Sequence, residues 1–568
     1  MRDLDRGDAT VKPTRNRLIV ALIALTSFGA QAADKPGHAA IASAHTLATT
    51  AGFEVFTEGG NAFDAAVAVA STLAVVEPQS SGIGGGGLFL LHRAADGKDV
   101  MIDARETAPV AVNPQDYLDT NGQPDRDHSL NGPLSAGIPG EVAGLVWIAQ
   151  HYGTLPLAKS LAPAIRIARQ GFEPDARFLG ALAARKDVVA RYPASNALYL
   201  VNGEAPKAGW TFKTPDLARV LEGIAARGND GFYRGDLATR LVDGVRAAGG
   251  TWSLDDLAKY KAKEREPIVF DYRGYHIVTA PPPSSGGIAL AEMLNILSGY
   301  DLGKLDRVHK VHLVVEAMRR AYRDRAEYLG DPDYVKMPVA ELTSPLYAAG
   351  LRASIHPDKA TPSDMLPGYM APPQSTHTSH FSIIDKDGNL VSATQTVNTS
   401  FGSTFVVPGT GFVLNNEMDD FALVAGKPNA YGLVGGDANA AKSGHRPLSS
   451  MTPTFAIGAD RVGVIGTPGG SRITTMVLEG ILAFVDGELP EQFVANPRYH
   501  HQYLPDVISA ETGAFTSDEV NAFEAMGHKV SESERRWGFM NAVSWDRKTG
   551  KMHAGSDPRG VSGSGMVK

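Results

Sequence analysis

The spacing of apolar and polar positions changes several times along this chain, and each change predicts an element. Residues 61–77 are alanine-rich and nearly all apolar, which predicts a helix buried against a sheet and ended by Pro78. Short apolar runs at residues 88–91 and 100–102 read as strands. From 136 to 360 helical and strand-like segments alternate, with turns at helix beginnings at 136–144 and 281–287 and an amphipathic helix over 310–329. At Thr378 the period drops to two. Residues 378–384 and 390–398 flank an Asp385-to-Asn389 turn with an Asp-Gly tip, a β-hairpin pattern. If Gly388 takes the left-handed position of a three-residue loop, Asp385 pairs with Asn389. Counting back then sets Thr378 opposite Thr396, with Asn398 diagonal to it. Further on, 461–466 reads as a short buried strand and 467–476 as a turn leading into a helix.

Composition narrows what these elements can serve. The 568 residues are 43% apolar and 20% charged, an ordinary globular balance with ample chain for a large core. Length alone suggests three or four domains, but the one long irregular segment expected is that before Thr378. Residues 1–32 read as a secretory signal: Lys12, Arg15 and Arg17, then an apolar run over 18–28, then Ala30-Gln-Ala32. The expected location of the mature chain is periplasmic or secreted, with no membrane span. The formal charge is −8; residues 1–32 hold five basic and three acidic residues, so their loss leaves −10. That balance disfavours nucleic acid and anionic membranes. There is no cysteine, which removes thiol nucleophiles, disulfides and thiolate metal sites.

The candidate chemistry sits at the start of the hairpin. Residues 362–374 hold four prolines and a glycine, and a strand begins abruptly after them. A hydroxyl is a poor nucleophile near neutral pH; one remedy is a threonine whose own α-amine, freed by cleavage of the preceding peptide bond, serves as base. A hydroxyl-rich edge strand is the plainer reading of the same stretch. Elsewhere, the glycine run 82–87 fits G-x-G-x-x-G, but a helix precedes and a strand follows, the reverse of a dinucleotide site, so it reads as close backbone packing. His500 and His501, adjacent on a strand, face opposite sides and cannot share a metal. The 385–389 turn lacks the remaining ligands of a calcium loop.

Beyond single motifs, the blocks Thr378-Ser-His-Phe-Ser, Asp385-Lys-Asp-Gly-Asn389, Asn398-Thr-Ser-Phe-Gly402, Asn415-Asn-Glu-Met-Asp-Asp420, Pro447-Leu-Ser-Ser-Met451 and Thr467-Pro-Gly-Gly-Ser-Arg472, with the R-E-x-A-P stretch at Arg105, resemble γ-glutamyltranspeptidase in order and spacing. The resemblance implies an α+β fold, a four-layer αββα sandwich of the N-terminal-nucleophile hydrolase type. It also implies cleavage between His377 and Thr378, giving a large subunit (33–377) and a small one (378–568) that together form one domain, and no cofactor. It assigns nucleophilic attack to Thr378, its orientation to Thr396, and the oxyanion to the backbone of Gly469 and Gly470. Arg105, Ser449 and Ser450 would hold the substrate α-carboxylate, while Asn398, Glu417 and Asp420 would hold its α-ammonium. Some relatives carry Gln at the Glu417 position. Tyr431 would shield the site from the 427–436 loop.

The expected activity is therefore transfer of a γ-glutamyl group from glutathione and similar compounds to water, an amino acid or a dipeptide. Two alternatives share parts of this pattern. A cephalosporin or glutaryl acylase would keep fold, processing and nucleophile, but its acyl group lacks an α-ammonium. A non-processed exported protein that binds glutamate or γ-glutamyl compounds would keep the clamp without catalysis.

Overall fold

In the computed structural model, which describes residues 35–366, 378–560 and 563–568, two large antiparallel sheets lie face to face. The first has seven strands, in the spatial order Ser564–Val567, Ala40–Ser43, Ser379–Ile384, Leu390–Thr396, Gly86–Arg93, Lys98–Ala104, Lys263–Arg265. The second has six, in the order Met552–Ser556, Asn541–Asp546, Arg461–Gly466, Thr454–Gly458, Tyr275–Thr279, Ile268–Tyr272. Each sheet draws strands from both sides of position 378, so neither side could close a sheet without the other. Residues 1–34 and 367–377, which include the expected signal and His377, lie outside the described residues.

Alternation along the strands builds the layers. Phe89, Leu91, Phe381, Ile383, Val391 and Ala393 face a core shared with the helices Ala62–Val76 and Glu141–His151. Leu88, Leu90, Ile384 and Leu390 face the opposite core, shared with Phe455, Val464 and Val543 of the second sheet and with the helices Gly286–Leu297 and Ile473–Val485. Helix, sheet, sheet, helix is the αββα sandwich expected. The alanine-rich helix starts on a capping box made by Asn61 and Asp64, and every one of its residues is buried.

The hairpin has the register read from its turn. Ser379 pairs with Gln395 and Ile384 with Leu390, Asp385 N–H donates to Asn389 O, and Gly388 has φ +91°. Thr378 and Thr396 share the parity of His380, Ser382, Ser392 and Thr394, whose side chains face the second sheet. Ser382 Oγ donates to Asn541 O and Ser392 Oγ to Ile465 O, at 3.0 and 3.2 Å. The two threonines are thereby brought to the end of the sheet interface. The glycine run at 82–87 is close packing: a Cβ on Gly85 would lie 2.0 Å from Thr396 O, and one on Gly84 would lie 2.1 Å from Val413 O.

Two expectations need correction. The helix expected to be amphipathic runs Arg307–Tyr328 and is buried on nearly every side from Val311 to Ala326. Its charged residues are paired inside instead of solvated: Glu316 bonds Arg319 and Arg320, and Arg319 also reaches Asp506. Period alone cannot tell a wet polar face from one satisfied by partners. The segment before Thr378 is also not the one long irregular stretch. Residues 397–453 connect two strands with only short 3-10 turns, and asparagine side chains tie the stretch to carbonyls of other segments: Asn415 donates to Gly84 O and Gly137 O, and Asn416 to Leu130 O.

Candidate active site

One small cavity gathers most of the residues singled out in the sequence. Arg105, Thr378, Thr396, Asn398, Glu417, Asp420, Tyr431, Ser449, Ser450 and Gly470 all line it. Gly469 does not; it stands just before, at φ +152°, where the strand Arg461–Gly466 passes into the 3-10 turn Gly470–Arg472 and then the helix Ile473–Val485.

Thr378 Oγ1 lies 3.1 Å from Thr396 Oγ1, and Thr396 Oγ1 accepts the Asn398 N–H at 2.8 Å. Asn398 holds φ +74°, and its side chain donates to Asn416 O at 3.0 Å. The strand under Thr378 is held from the end of the alanine-rich helix. Ser379 Oγ donates to Glu77 Oε2 at 2.7 Å, and Glu77 in turn pairs with Arg177 at 2.8 Å. Sequence reading missed Glu77 because its partner is 302 residues away. His380, two residues from the candidate nucleophile, is buried, and burial lowers its imidazole to about 3. With its nitrogens engaged by Thr394 and Ser382 hydroxyls, it stays neutral and structural.

Opposite the threonines, Arg105 is buried to 1% exposure and makes direct ion pairs with Glu417 and Asp420. Its Nε donates to Pro447 O at 3.2 Å, and its backbone carbonyl is fixed by Tyr260 and Arg446. The expectation set the arginine at one end of a bound zwitterion and the acids at the other. In the structure the acids pair with the arginine directly, as a buried charge requires. Glu106, which the sequence reading quoted in the motif but gave no role, lies behind them, its carboxylate 3.6 Å from Arg105 and neither oxygen hydrogen-bonded. Burial pushes its carboxyl up to about 7, against the pull of Arg105. Burial also raises Glu417 and Asp420, with Arg105 opposing in both cases. An added ammonium group beside these acids would favour their ionised forms, against the effect of burial.

The remaining walls come from the irregular 397–453 stretch. The Ser449 backbone is fixed by Pro283 O and by Ser285. Tyr431 OH donates to Asn398 O at 2.7 Å, closing its loop over the cavity. The loop is tied to the acids below it, with Asn429 Nδ2 donating to Asp420 Oδ1 and Ala430 N–H to Asp419 Oδ2. A second link runs to the glycine turn: Ser471 Oγ donates to Gln502 Oε1, and Gln502 Nε2 donates to Gly432 O. With Tyr431 in place the cavity measures about 20 Å³, room for little more than one water.

Among the described residues one cluster has metal-ligand geometry, formed by His312, Glu316 and His528 away from this cavity. Glu316 there already serves Arg319, Arg320 and Thr361, so two guanidinium groups oppose a cation. His500 and His501 point to separate partners, Thr475 and Asp506.

The family model for γ-glutamyltranspeptidase matches residues 48–567. The chain belongs to the γ-glutamyltranspeptidase family. A glutathione hydrolase proenzyme of Escherichia coli K12 is 42% identical over 532 residues, which cover 92% of this chain and 90% of that protein. Among solved structures, a cephalosporin acylase from Bacillus halodurans superposes with a TM-score of 0.81 at 29% identity, covering 98% of both chains. The γ-glutamyltranspeptidase of Helicobacter pylori gives 0.56 at 38% identity, covering 57% of this chain and 94% of that one. The transpeptidase family and its acylase relatives thus share a fold, and the residues around Arg105 bear on which chemistry applies.

Proposed function

We propose that this protein is a γ-glutamyltransferase and glutathione hydrolase, made as an exported precursor that cleaves itself before Thr378. The observation that carries the reading is that Thr378 and the Arg105–Glu417–Asp420 cluster line the same cavity. A γ-glutamyl group has a zwitterionic α-carbon end and a reactive γ-carbonyl. The arginine and the acids meet the needs of the first, and a hydroxyl with an adjacent amine meets those of the second.

In maturation, Thr378 Oγ attacks the His377 carbonyl, the peptide rearranges to an ester, and water releases a large subunit ending at His377 and a small one beginning at Thr378. The freed α-amine then takes the Thr378 hydroxyl proton as that oxygen attacks the substrate γ-amide. Thr396 orients the hydroxyl. The backbone N–H groups of Gly469 and Gly470, at the turn before a helix, stabilise the oxyanion. The amine leaves with a proton, and the γ-glutamyl ester on Thr378 passes to water or to the amine of an amino acid or dipeptide. Opening of the Arg105 pairs lets the α-carboxylate take the guanidinium and Ser449–Ser450, while the ammonium takes Glu417, Asp420 and Asn398. The signal-like residues 1–32 support a periplasmic or secreted location.

The test is intact mass with amino-terminal sequencing of the purified protein, followed by assay on a γ-glutamyl anilide. Two fragments, one beginning Thr-Ser-His-Phe, with anilide release, are expected. A Thr378→Ala protein that still matures and turns over would overturn the nucleophile, and a stable single chain would favour a binding protein. The structural likeness to a cephalosporin acylase makes glutaryl amides the second substrate to try. Because a glutaryl group brings no ammonium to the acids, it is expected to react far more slowly.

A further inference from the structure

One side of the buried helix Arg307–Tyr328 supports two walls of the cavity. Tyr322 and Arg325 are three residues apart and therefore neighbours on the helix surface. Tyr322 OH donates to Ser471 O in the glycine turn. Arg325 Nε donates to Ser285 Oγ at 3.1 Å, and Ser285 Oγ donates onward to Ser449 O at 2.8 Å. The Ser285 N–H reaches the same carbonyl at 2.9 Å, and the Ser449 N–H donates to Pro283 O at 2.8 Å, so the Ser449 backbone is held through both its N–H and its C=O. Ser449 and Ser450 line the cavity with Arg105 and Thr378. Arg325 stands one side chain behind that wall.

Its charge is not answered in the usual way. Other deeply buried arginines contact a carboxylate: Arg105 with Glu417, Arg319 with Asp506, Arg446 with Asp103 and Arg498 with Asp557. Arg325 is 5% exposed and, among the described residues, forms no ion pair; Ser285 is its hydrogen-bond partner. Burial lowers it to about 10, with Tyr322 and Asp420 opposing. The effect on the site is mutual: burial raises the Asp420 carboxyl, and Arg105 and also Arg325 act against that rise. A buried cation without an acid of its own is costly to keep. An anion arriving at the Ser449–Ser450 wall would lower that cost, and a neutral group there would not.

We propose that Arg325 is a positioning residue for the γ-glutamyl donor: through Ser285 it holds Ser449 and Ser450 in place for the substrate α-carboxylate, and its charge favours an anion at that wall. The inference rests on the γ-glutamyl reading and adds a residue that touches no substrate atom. Lysine keeps the charge but not the planar donor group that meets Ser285, so it replaces Arg325 only in part.

The test titrates L-glutamate, and L-glutamate with its α-carboxylate masked as an amide, into the mature wild-type, Arg325→Met and Arg325→Lys proteins by calorimetry. KM and kcat on a γ-glutamyl anilide are measured beside them. Arg325→Met is expected to weaken glutamate by about tenfold and to leave the α-amide unchanged. KM should rise by a similar factor with kcat held within about twofold, and Arg325→Lys should recover part of the loss. Equal weakening of both ligands would make Arg325 a general prop of the fold and overturn the proposal, as would glutamate binding unchanged in Arg325→Met. If the α-amide binds too weakly to titrate, the kinetic split decides: a fall in kcat at unchanged KM overturns it. If Arg325→Met does not mature, Arg325→Lys is read by the same criteria. A wild-type protein that binds glutamate yet forms no γ-glutamyl ester on Thr378 would instead defeat the transferase reading, so the two failures are distinguishable.

Discussion

Thr378 and Thr396 face each other across a hairpin with their hydroxyl oxygens 3.1 Å apart, and Thr396 also accepts the backbone N–H of Asn398. That amide occupies one lone pair of Thr396 and fixes its rotamer, which leaves the hydroxyl proton and the other lone pair for Thr378. Thr396→Val keeps the shape and removes the contact. Self-cleavage and acyl transfer are both expected to slow by about tenfold to a hundredfold, the usual worth of one buried bond to a developing charge. Time courses of fragment appearance and of anilide release check this; unchanged rates would remove Thr396 from the mechanism.

Arg105 is expected to bear on affinity and not on cleavage, since it contacts the acids and not the hydroxyl pair. Arg105→Ala should still mature, while KM for a γ-glutamyl donor rises by roughly a hundredfold, as for truncation of a buried charge pair. Saturation kinetics on the processed variant, with mass spectrometry to confirm both subunits, measure it.

Tyr431 lines the cavity and its hydroxyl bonds Asn398 O, so its loop is expected to open for substrate. Tyr431→Phe loses one hydrogen bond to Asn398 O, worth about 1 kcal/mol. The closed state is weakened accordingly. KM should rise by about fivefold, and a larger share of the γ-glutamyl ester should go to water, read from the ratio of glutamate to transfer product at fixed acceptor concentration.

Glu479 offers a test of stability alone. Burial raises its carboxyl to about 8; Oε1 accepts the Tyr499 N–H, and Oε2 has no partner. The folded state thus binds a proton that the unfolded chain gives up near the ordinary carboxylate range. Stability is full below that range and falls as pH rises through it toward 8. Glu479→Gln keeps the bond to Tyr499 and cannot ionise. It should match the wild type at pH 4 and exceed it increasingly up to pH 8, as followed by thermal unfolding at several pH values.

What the sequence determined by itself was whatever depends on neighbours in the chain. The hairpin register follows from a five-residue turn and a period of two, and the buried helix at Ala62–Val76 from an apolar run. The glycine run could be refused as a nucleotide loop from the order of its flanking elements. The motif blocks, recognised together, led to the remaining site residues. Tertiary structure alone decided how charges that are distant in sequence meet. Arg105 reaches Glu417 and Asp420 over more than 300 residues, Glu77 anchors Ser379, Gln502 joins the lid loop to the glycine turn, and the polar face of the Arg307–Tyr328 helix is buried in ion pairs. Hydrophobic period reports which side of an element avoids water; it carries no information on which partner satisfies a polar group, because that partner is supplied by a different part of the chain only once the layers have closed.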